Sequence, residues 1–300
     1  MIANKYDLIS KIGAGAFGSI YKGQNVRTGE PVAIKVEPLK HQTNLLKNEA
    51  RIYQYLKGGI GIPQVKWFGV DDANNYMVIN LLGESLQHNI NTYGVFSLLD
   101  SISIGIQMIE RIQYVHECGL IHRDVKPDNF LFGLNEQRER LYIIDFGFCK
   151  KCNNPPTPPK RMTSILGTPN YISISVHDYI EPNKHDDLES VLYTIMYLFY
   201  GKLLWDVPDI TNTGIRNMKQ SILYGAGAET IPKIFTQFAS IVSACREKSS
   251  EPNYKSLLDL LKKRFLDPNL TMKRHTRIMI RSIILAEHLF QTTLKTLSPN

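Results

Sequence analysis

The sequence predicts an α+β chain of two lobes: a small β-rich N-terminal lobe with one main helix, and a larger, mainly helical C-terminal lobe. Two observations carry this. Up to about residue 80, short runs rich in β-branched and aromatic residues alternate with Gly, Asn and Asp, and a single stretch of helical periodicity interrupts them. From Ser97 onward the apolar residues recur at helical spacing instead.

In chain order, the expected strands are Tyr6–Ile12, Ser19–Asn25, Pro31–Glu37, Val65–Val70 and Tyr76–Leu81. The interrupting helix is Asn44–Leu56, whose Leu45, Ala50, Ile52, Tyr53 and Leu56 fall near one face. A hinge is expected near Asn80–Glu84. The long helices expected beyond it are Leu98–Cys118, Leu188–Gly201 and Ile231–Cys245, with the proline-rich stretch Asn153–Lys160 as an extended loop between them. The expected division is an N-lobe over 1–80, a hinge over 81–84, a C-lobe over 85–275 and a helical extension over 276–300.

Composition narrows the class. Hydrophobic residues make up 43% and charged residues 21% of the 300 residues, ordinary for a globular protein with a proper core. No run approaches the roughly 18–20 apolar residues that span a bilayer. The stretch Met1–Asp7 lacks a signal-type apolar segment, so the expected location is cytosol or nucleus. Cys118, Cys149, Cys152 and Cys245 are too few for a disulfide framework, and the Cys149/Cys152 pair lacks a second ligand pair for zinc, so free thiols are expected. Lys and Arg outnumber Asp and Glu by 35 to 28, a net charge of +7, which favours acidic partners: nucleic acid, or an acidic or phosphorylated protein. No nucleic-acid-reading motif accompanies the charge, and the basic residues form no block.

Four motifs carry chemistry. Gly13-Ala14-Gly15-Ala16-Phe17-Gly18 is followed by the strand-like Ser19–Lys22, not by a helix, so it joins two strands as a hairpin whose backbone lies over ATP phosphates. Val32-Ala33-Ile34-Lys35 ends an apolar strand in a cation that needs anions; the α and β phosphates supply them, and Glu49 on the helix is the natural partner that holds it. Glu37 shares the face of Lys35 and is the nearest competitor. In His122-Arg123-Asp124-Val125-Lys126-Pro127-Asp128-Asn129, Asp124 is placed to accept the proton of an attacking hydroxyl, Lys126 to neutralise charge on a transferred phosphoryl group, and Asn129 to offer oxygen to Mg²⁺. Ile143-Ile144-Asp145-Phe146-Gly147 then supplies the main Mg²⁺ carboxylate in Asp145.

These motifs, in this order, resemble a eukaryotic-type protein kinase over about residues 5–270. Glu49-Ala50-Arg51-Ile52-Tyr53, Gly59-Ile60-Gly61-Ile62-Pro63, Leu81–Leu86 and Ile121–Leu131 resemble the casein kinase 1 family more closely. So do Ser173-Ile174-Ser175, where other kinases have Ala-Pro-Glu, and His185–Ser190. The resemblance implies a bilobal kinase fold, ATP and Mg²⁺ as cofactors, and constitutive serine/threonine kinase activity on acidic or phosphate-primed protein substrates, by a monomer. Lys126, two residues after Asp124, matches Ser/Thr rather than tyrosine kinases. It also implies an apolar adenine slot of Ile12, Ile20, Ala33, Ile79, Leu131 and Ile144, with Ile79 as gatekeeper, the Leu82 backbone meeting the adenine edge, and Asp187 bracing the catalytic loop.

Three departures bear on specificity. Asn80 replaces the family's hinge glutamate, and Asn170 and Thr163 replace an arginine and a lysine that help bind an anion near the substrate, leaving Lys160 and Arg161 to compensate. Thr157, Thr163 and Ser164 are candidate phosphate acceptors opposite Arg123, although the resemblance implies activity without that switch. The stretch Lys273–Leu294 sets Ile278, Ile280, Ile283, Ile284, Leu285, Leu289 and Phe290 among basic residues; packing on its own domain is favoured over a membrane surface. A scaffold of pseudokinase type is the alternative function, and the retention of Lys35, Asp124, Asn129 and Asp145 weighs against it.

Overall fold

The computed structural model describes residues 2–15, 18–39, 45–152 and 160–267. The expected extension over 276–300, most of the proline-rich loop and the glycine-loop tip Ala16–Phe17 lie outside the described residues.

The N-terminal lobe is one antiparallel sheet of β1 (Tyr6–Gly15), β2 (Gly18–Asn25), β3 (Pro31–Pro38), β4 (Val65–Val70) and β5 (Asn74–Asn80), in the order β1-β2-β3-β5-β4. The alternation along β3 decides which face does what. Val32 and Ile34 point to one side, where they form a small core with Tyr6, Tyr76 and Val78. Ala33, Lys35 and Glu37 point to the other, toward the helix α1 (Leu45–Tyr55). Met77 leaves β5 on that second side and joins the main core.

Helix α1 buries Leu46, Glu49, Ala50 and Tyr53, and Leu56 just beyond it is wholly buried. The stripe therefore starts at Leu46, not at the expected Leu45, which is only half-buried along with Ile52. Leu46, Ala50 and Tyr53 keep the i, i+4, i+7 spacing of one helical face, and Leu45 lies about 100° around from it.

The C-terminal lobe holds α2 (Leu86–Tyr93), α3 (Leu98–Glu117), α4 (Ile174–His177), α5 (Lys184–Tyr200), α6 (Asn212–Tyr224), α7 (Lys233–Glu247) and α8 (Tyr254–Phe265). Two small ribbons complete it: β6 (Leu120–Ile121) pairs with β9 (Lys150–Lys151), and β7 (Phe130–Phe132) with β8 (Leu141–Ile143). Ser97 caps α3 by accepting from the Asp100 N–H, and Asp100 lies in the first turn where a carboxylate suits the helix dipole. One hydrophobic core runs through both lobes, from Leu46, Tyr53 and Met77 to Ile109, Phe130, Leu192 and Phe238. Among the described residues no helix is long and apolar enough to cross a membrane.

Helix α5 is buried almost all round, which marks it as the central helix of the lobe. It begins four residues before the expected Leu188, because its first turn is polar: Asn183 caps it in a reciprocal box with Asp186. The polar turn is buried too. Asp186 and Glu189 pair with Arg246 of α7 at 2.9 and 3.0 Å, and Arg246 also reaches the Ser175 hydroxyl. The carboxylates for this cation therefore come from α5, so the segment Ser173-Ile174-Ser175 needs no acid of its own.

Removing Arg246 leaves two buried carboxylates without their cation. Arg246→Met is expected to lower the free energy of urea unfolding by about 3 kcal/mol, with Arg246→Lys recovering part of the loss.

Candidate active site

The two ribbons assemble the site. The loop 122–129 leaves β6 and enters β7, and Asp145 follows directly on β8, the partner of β7. Residues far apart in sequence are thereby set on neighbouring turns. Arg123 and Asp145 both adopt left-handed backbone, with φ of 70° and 64°. Such geometry in a residue other than glycine persists only where the surroundings enforce it.

Asp187, in the first turn of α5, enforces it at the first position. Its carboxylate accepts from the backbone N–H of His122 at 2.7 Å and of Arg123 at 2.8 Å. His116 of α3 donates its Nε2–H to the same carboxylate at 2.9 Å, and its Nδ1 lies 2.7 Å from the Tyr254 hydroxyl. Burial opposes the charge on Asp187, but the hydrogen bonds from His116 and the Arg123 N–H hold its carboxyl below the usual carboxylate range. The Arg123 side chain donates Nε–H to the Phe148 carbonyl at 2.6 Å, which ties the loop to the segment after Asp145.

At the loop's centre Asp124 is 5% exposed. Lys126 Nζ lies 2.7 Å from its Oδ2, and the Thr168 hydroxyl donates to its Oδ1 at 3.0 Å. Lys126 also donates to Thr168 Oγ1 at 3.2 Å, closing a three-membered arrangement. Asn129 directs Nδ2 back to the Asp124 carbonyl and carboxylate at 2.8 and 3.2 Å, which leaves its Oδ1 as a hard oxygen donor. Gly167, before Thr168, has φ of 98°, and a Cβ there would stand 3.0 Å from the Arg123 carbonyl, so glycine is required.

Across the cleft, Lys35 meets Glu49 at 2.6 Å and Asp145 at 3.3 Å. Burial works against the Lys35 charge, yet Glu49 and Asp145 together hold its pKa above the ordinary lysine value. Asp145 is likewise opposed by burial, but Lys35 and His122 keep it ionised with a lowered pKa. Glu37 does share the face of Lys35, but it does not compete: it accepts from Asn75 Nδ2 at 3.0 Å and from the Leu46 N–H at 3.3 Å. Phe146 is fully buried, edge-on to Tyr53 with ring centres 4.9 Å apart, and the Tyr53 hydroxyl accepts the Asp145 N–H at 3.1 Å.

Ile20, Ala33 and Ile79 share the sheet face of Lys35 by register, Leu131 lies on β7 and Ile144 follows β8; all but Ala33 are partly exposed, and Ile12 is 52% exposed. Gly13 and Gly15 lie on β1, and Gly15 pairs with Gly18 to close the β1–β2 hairpin. A Cβ on Gly18 would meet the Val36 carbonyl at 2.0 Å, so the close approach of β2 to β3 there requires glycine. The chain after β5 is held to β7 by the Gly83 N–H on the Phe132 carbonyl, while no hydrogen bond among the described residues engages the Leu82 backbone. Asn80 turns its side chain to the Gln64 N–H at 2.7 Å, away from the cleft.

Lys35, Glu49 and Asp145 thus meet directly, as do Asp124, Lys126 and Asn129, and the Ile144 N–H on the Asn129 carbonyl joins the two groups. The sequence motifs do not single out Thr168 or Tyr53 for this arrangement. Thr168 is a hydroxyl between Gly167 and Pro169 with no local signal of its target, forty-four residues away. Tyr53 reads as a core residue, and only its hydroxyl, which must find a partner when buried, hints at more.

The donor set fits a magnesium–nucleotide complex. Asn129 Oδ1 and the Asp145 carboxylate are two hard oxygen ligands set on neighbouring turns. That is the pattern for Mg²⁺, which takes the remainder of its shell from phosphate and water. The family model for the protein kinase domain matches residues 6–288. The chain belongs to the protein kinase family, whose members transfer phosphoryl groups to proteins with ATP and Mg²⁺.

Proposed function

We propose that this chain transfers the γ-phosphoryl group of ATP to serine and threonine hydroxyls of acidic protein substrates, in the manner of casein kinase 1, with Asp124 as the base. The observation that carries this reading is the Asp124–Lys126–Thr168 arrangement, in which both oxygens of a nearly buried carboxylate are oriented by neighbours. Asp124 accepts the proton of the substrate hydroxyl as its oxygen bonds to the γ-phosphorus. The bond from phosphorus to the bridging oxygen breaks, and ADP leaves with the electron pair. Lys126 faces the charge that develops on the transferred group. Lys35, oriented by Glu49, holds the α and β phosphates. Asn129 and Asp145 would hold Mg²⁺, which when bound neutralises phosphate charge. Gly13, Gly15 and Gly18 bring backbone over the phosphates, and Ile12, Ile20, Ala33, Ile79, Leu131 and Ile144 enclose the adenine beside the Leu82 backbone.

Serine or threonine rather than tyrosine suits the position of Thr168. It touches Asp124 directly, so a substrate backbone running along the segment from Pro169 passes close to the base, where a short side chain reaches and a phenol overshoots. A scaffold role is disfavoured by the same geometry: Lys35, Glu49 and Asp145 are already engaged, with no phosphate needed to bring them together.

Acidic residues, not a priming phosphate, are the preferred recognition feature. The Asn170 amide, already neutral, donates to Asp206 at 3.3 Å. Arg216 is held by Asp178 through two hydrogen bonds at 3.1 and 3.0 Å, and Lys150 is paired with Glu181. Exposed Lys160 and Arg161 remain for acidic side chains. A charge-assisted pair with phosphate needs a cation fixed in place where Asn170 stands, and the two paired cations, Arg216 and Lys150, are engaged elsewhere.

Two measurements test this reading. Asp124→Asn is expected to lower kcat on an acidic serine peptide about 10³-fold while ATP still binds, with phosphoserine or phosphothreonine the only product of the wild-type chain; phosphotyrosine would refute the specificity. Peptides with and without a phosphoserine upstream of the acceptor are expected to differ less than about threefold in kcat/KM, under 1 kcal/mol of transition-state binding. A tenfold advantage of the primed peptide would overturn the substrate assignment.

A further inference from the structure

Lys219 lies in the middle of α6 and has no exposed surface. Its Nζ donates to the carbonyls of Pro169 at 3.0 Å and Ile172 at 2.7 Å, and lies 3.2 Å from His177 Nε2. The rings of Tyr193 and Trp205 face it, with centroids at 4.5 and 5.2 Å. An ammonium has three protons and accepts nothing, so these three partners match its full donor capacity. Burial pulls its pKa well below the ordinary lysine value, and Glu189 opposes that. Burial and the Lys219 charge also hold His177 down to about 4, so a neutral imidazole faces the amine at pH 7.

The carbonyls so engaged belong to one segment. Trp205 donates its indole N–H to the Asn170 carbonyl between them, at 2.9 Å. The N–H groups of Tyr171 and Ile172 turn back to the Thr168 carbonyl at 2.8 and 3.0 Å. The backbone of 168–172 is thus folded on itself from one side and pinned from below on the other. Thr168, at its head, is the residue that touches Asp124 and Lys126. An apolar side chain would fill the space under this segment without the desolvation that a buried lysine carries. What the lysine adds is direction: donors that accept only one arrangement of the backbone above them.

We propose that Lys219 is a positioning residue for the protein substrate, fixing the segment 168–172 as the platform on which a peptide lies and setting it in register with Asp124 through Thr168. The assignment rests on the protein-kinase reading of the site and adds a substrate-side role on α6, away from Lys35, Glu49 and Asp145. It predicts a split between the two substrates.

The test compares the full chain with Lys219→Met and Trp205→Phe, measuring steady-state parameters for an acidic serine peptide and for ATP, with thermal unfolding alongside. Lys219→Met is expected to raise the peptide KM at least tenfold while the ATP KM stays within twofold. Trp205→Phe, which removes the Asn170 hydrogen bond and shrinks the ring that faces Lys219, is expected to raise the peptide KM about threefold with the same split. An unchanged peptide KM in Lys219→Met, or peptide and ATP parameters that worsen together, would overturn the proposal. Should Lys219→Met fail to fold, the split in Trp205→Phe decides in the same way. A wild-type chain that transfers no phosphate would instead refute the reading beneath it.

Discussion

The buried first turns of α5 are the constraint on which the rest of the site depends. Asp187 offers a charged acceptor to the loop 122–129 from inside the protein, where water cannot replace it. The helix N-terminus favours that charge, and His116, itself held by Tyr254, completes its hydrogen bonding. The left-handed backbone at Arg123 exists because these bonds outweigh its strain. From there the loop delivers Asp124, Lys126 and Asn129 in one short passage.

The same turns hold the opposite wall. Asp186 accepts from the Ser173 hydroxyl at 2.5 Å, and Glu189 from the Ile174 N–H at 2.9 Å, which anchors α4 and the chain leading to it. Arg246 neutralises both carboxylates. Lys219 then reaches the segment 168–172 from α6. Buried charges are poor contributors to net stability, because desolvation offsets much of the pairing. Here Asp187, Glu189 and Lys219 are each joined to backbone groups of the neighbouring segments, so their effect lies in holding a single conformation.

The nucleotide side is built on a different principle. The strand alternation of β3 sends Val32 and Ile34 into one core and Ala33 and Lys35 toward α1, so the cation arrives opposite Glu49 by register alone. Glu37 arrives on the same face and is drawn off by Asn75 and the start of α1. Ile20 and Ile79 share that face by register and are partly exposed, as are Leu131 and Ile144. The Lys35–Glu49–Asp145 group and the Asp124–Lys126–Thr168 group thus have separate supports, which is why, on the proposed function, a substitution beneath the segment 168–172 is expected to spare ATP.

The sequence by itself determined the alternation and periodicity that place Lys35 on its strand, Glu49 on its helix, and Asp124, Asn129 and Asp145 in their short motifs. Those are local properties: two-residue and 3.6-residue periods, and loops whose chemistry is contiguous. Apart from Asp187, which the family resemblance implied as a brace, only the tertiary structure decided which residues support them. The polar first turn of α5 and the lysine within the stripe of α6 break the apolar pattern, so periodicity passes over both. Thr168 and Asp124 are forty-four positions apart, and Lys219 and Ile172 forty-seven. A buried polar group gains its meaning from the partner that satisfies it, and that partner is known only once the chain has folded.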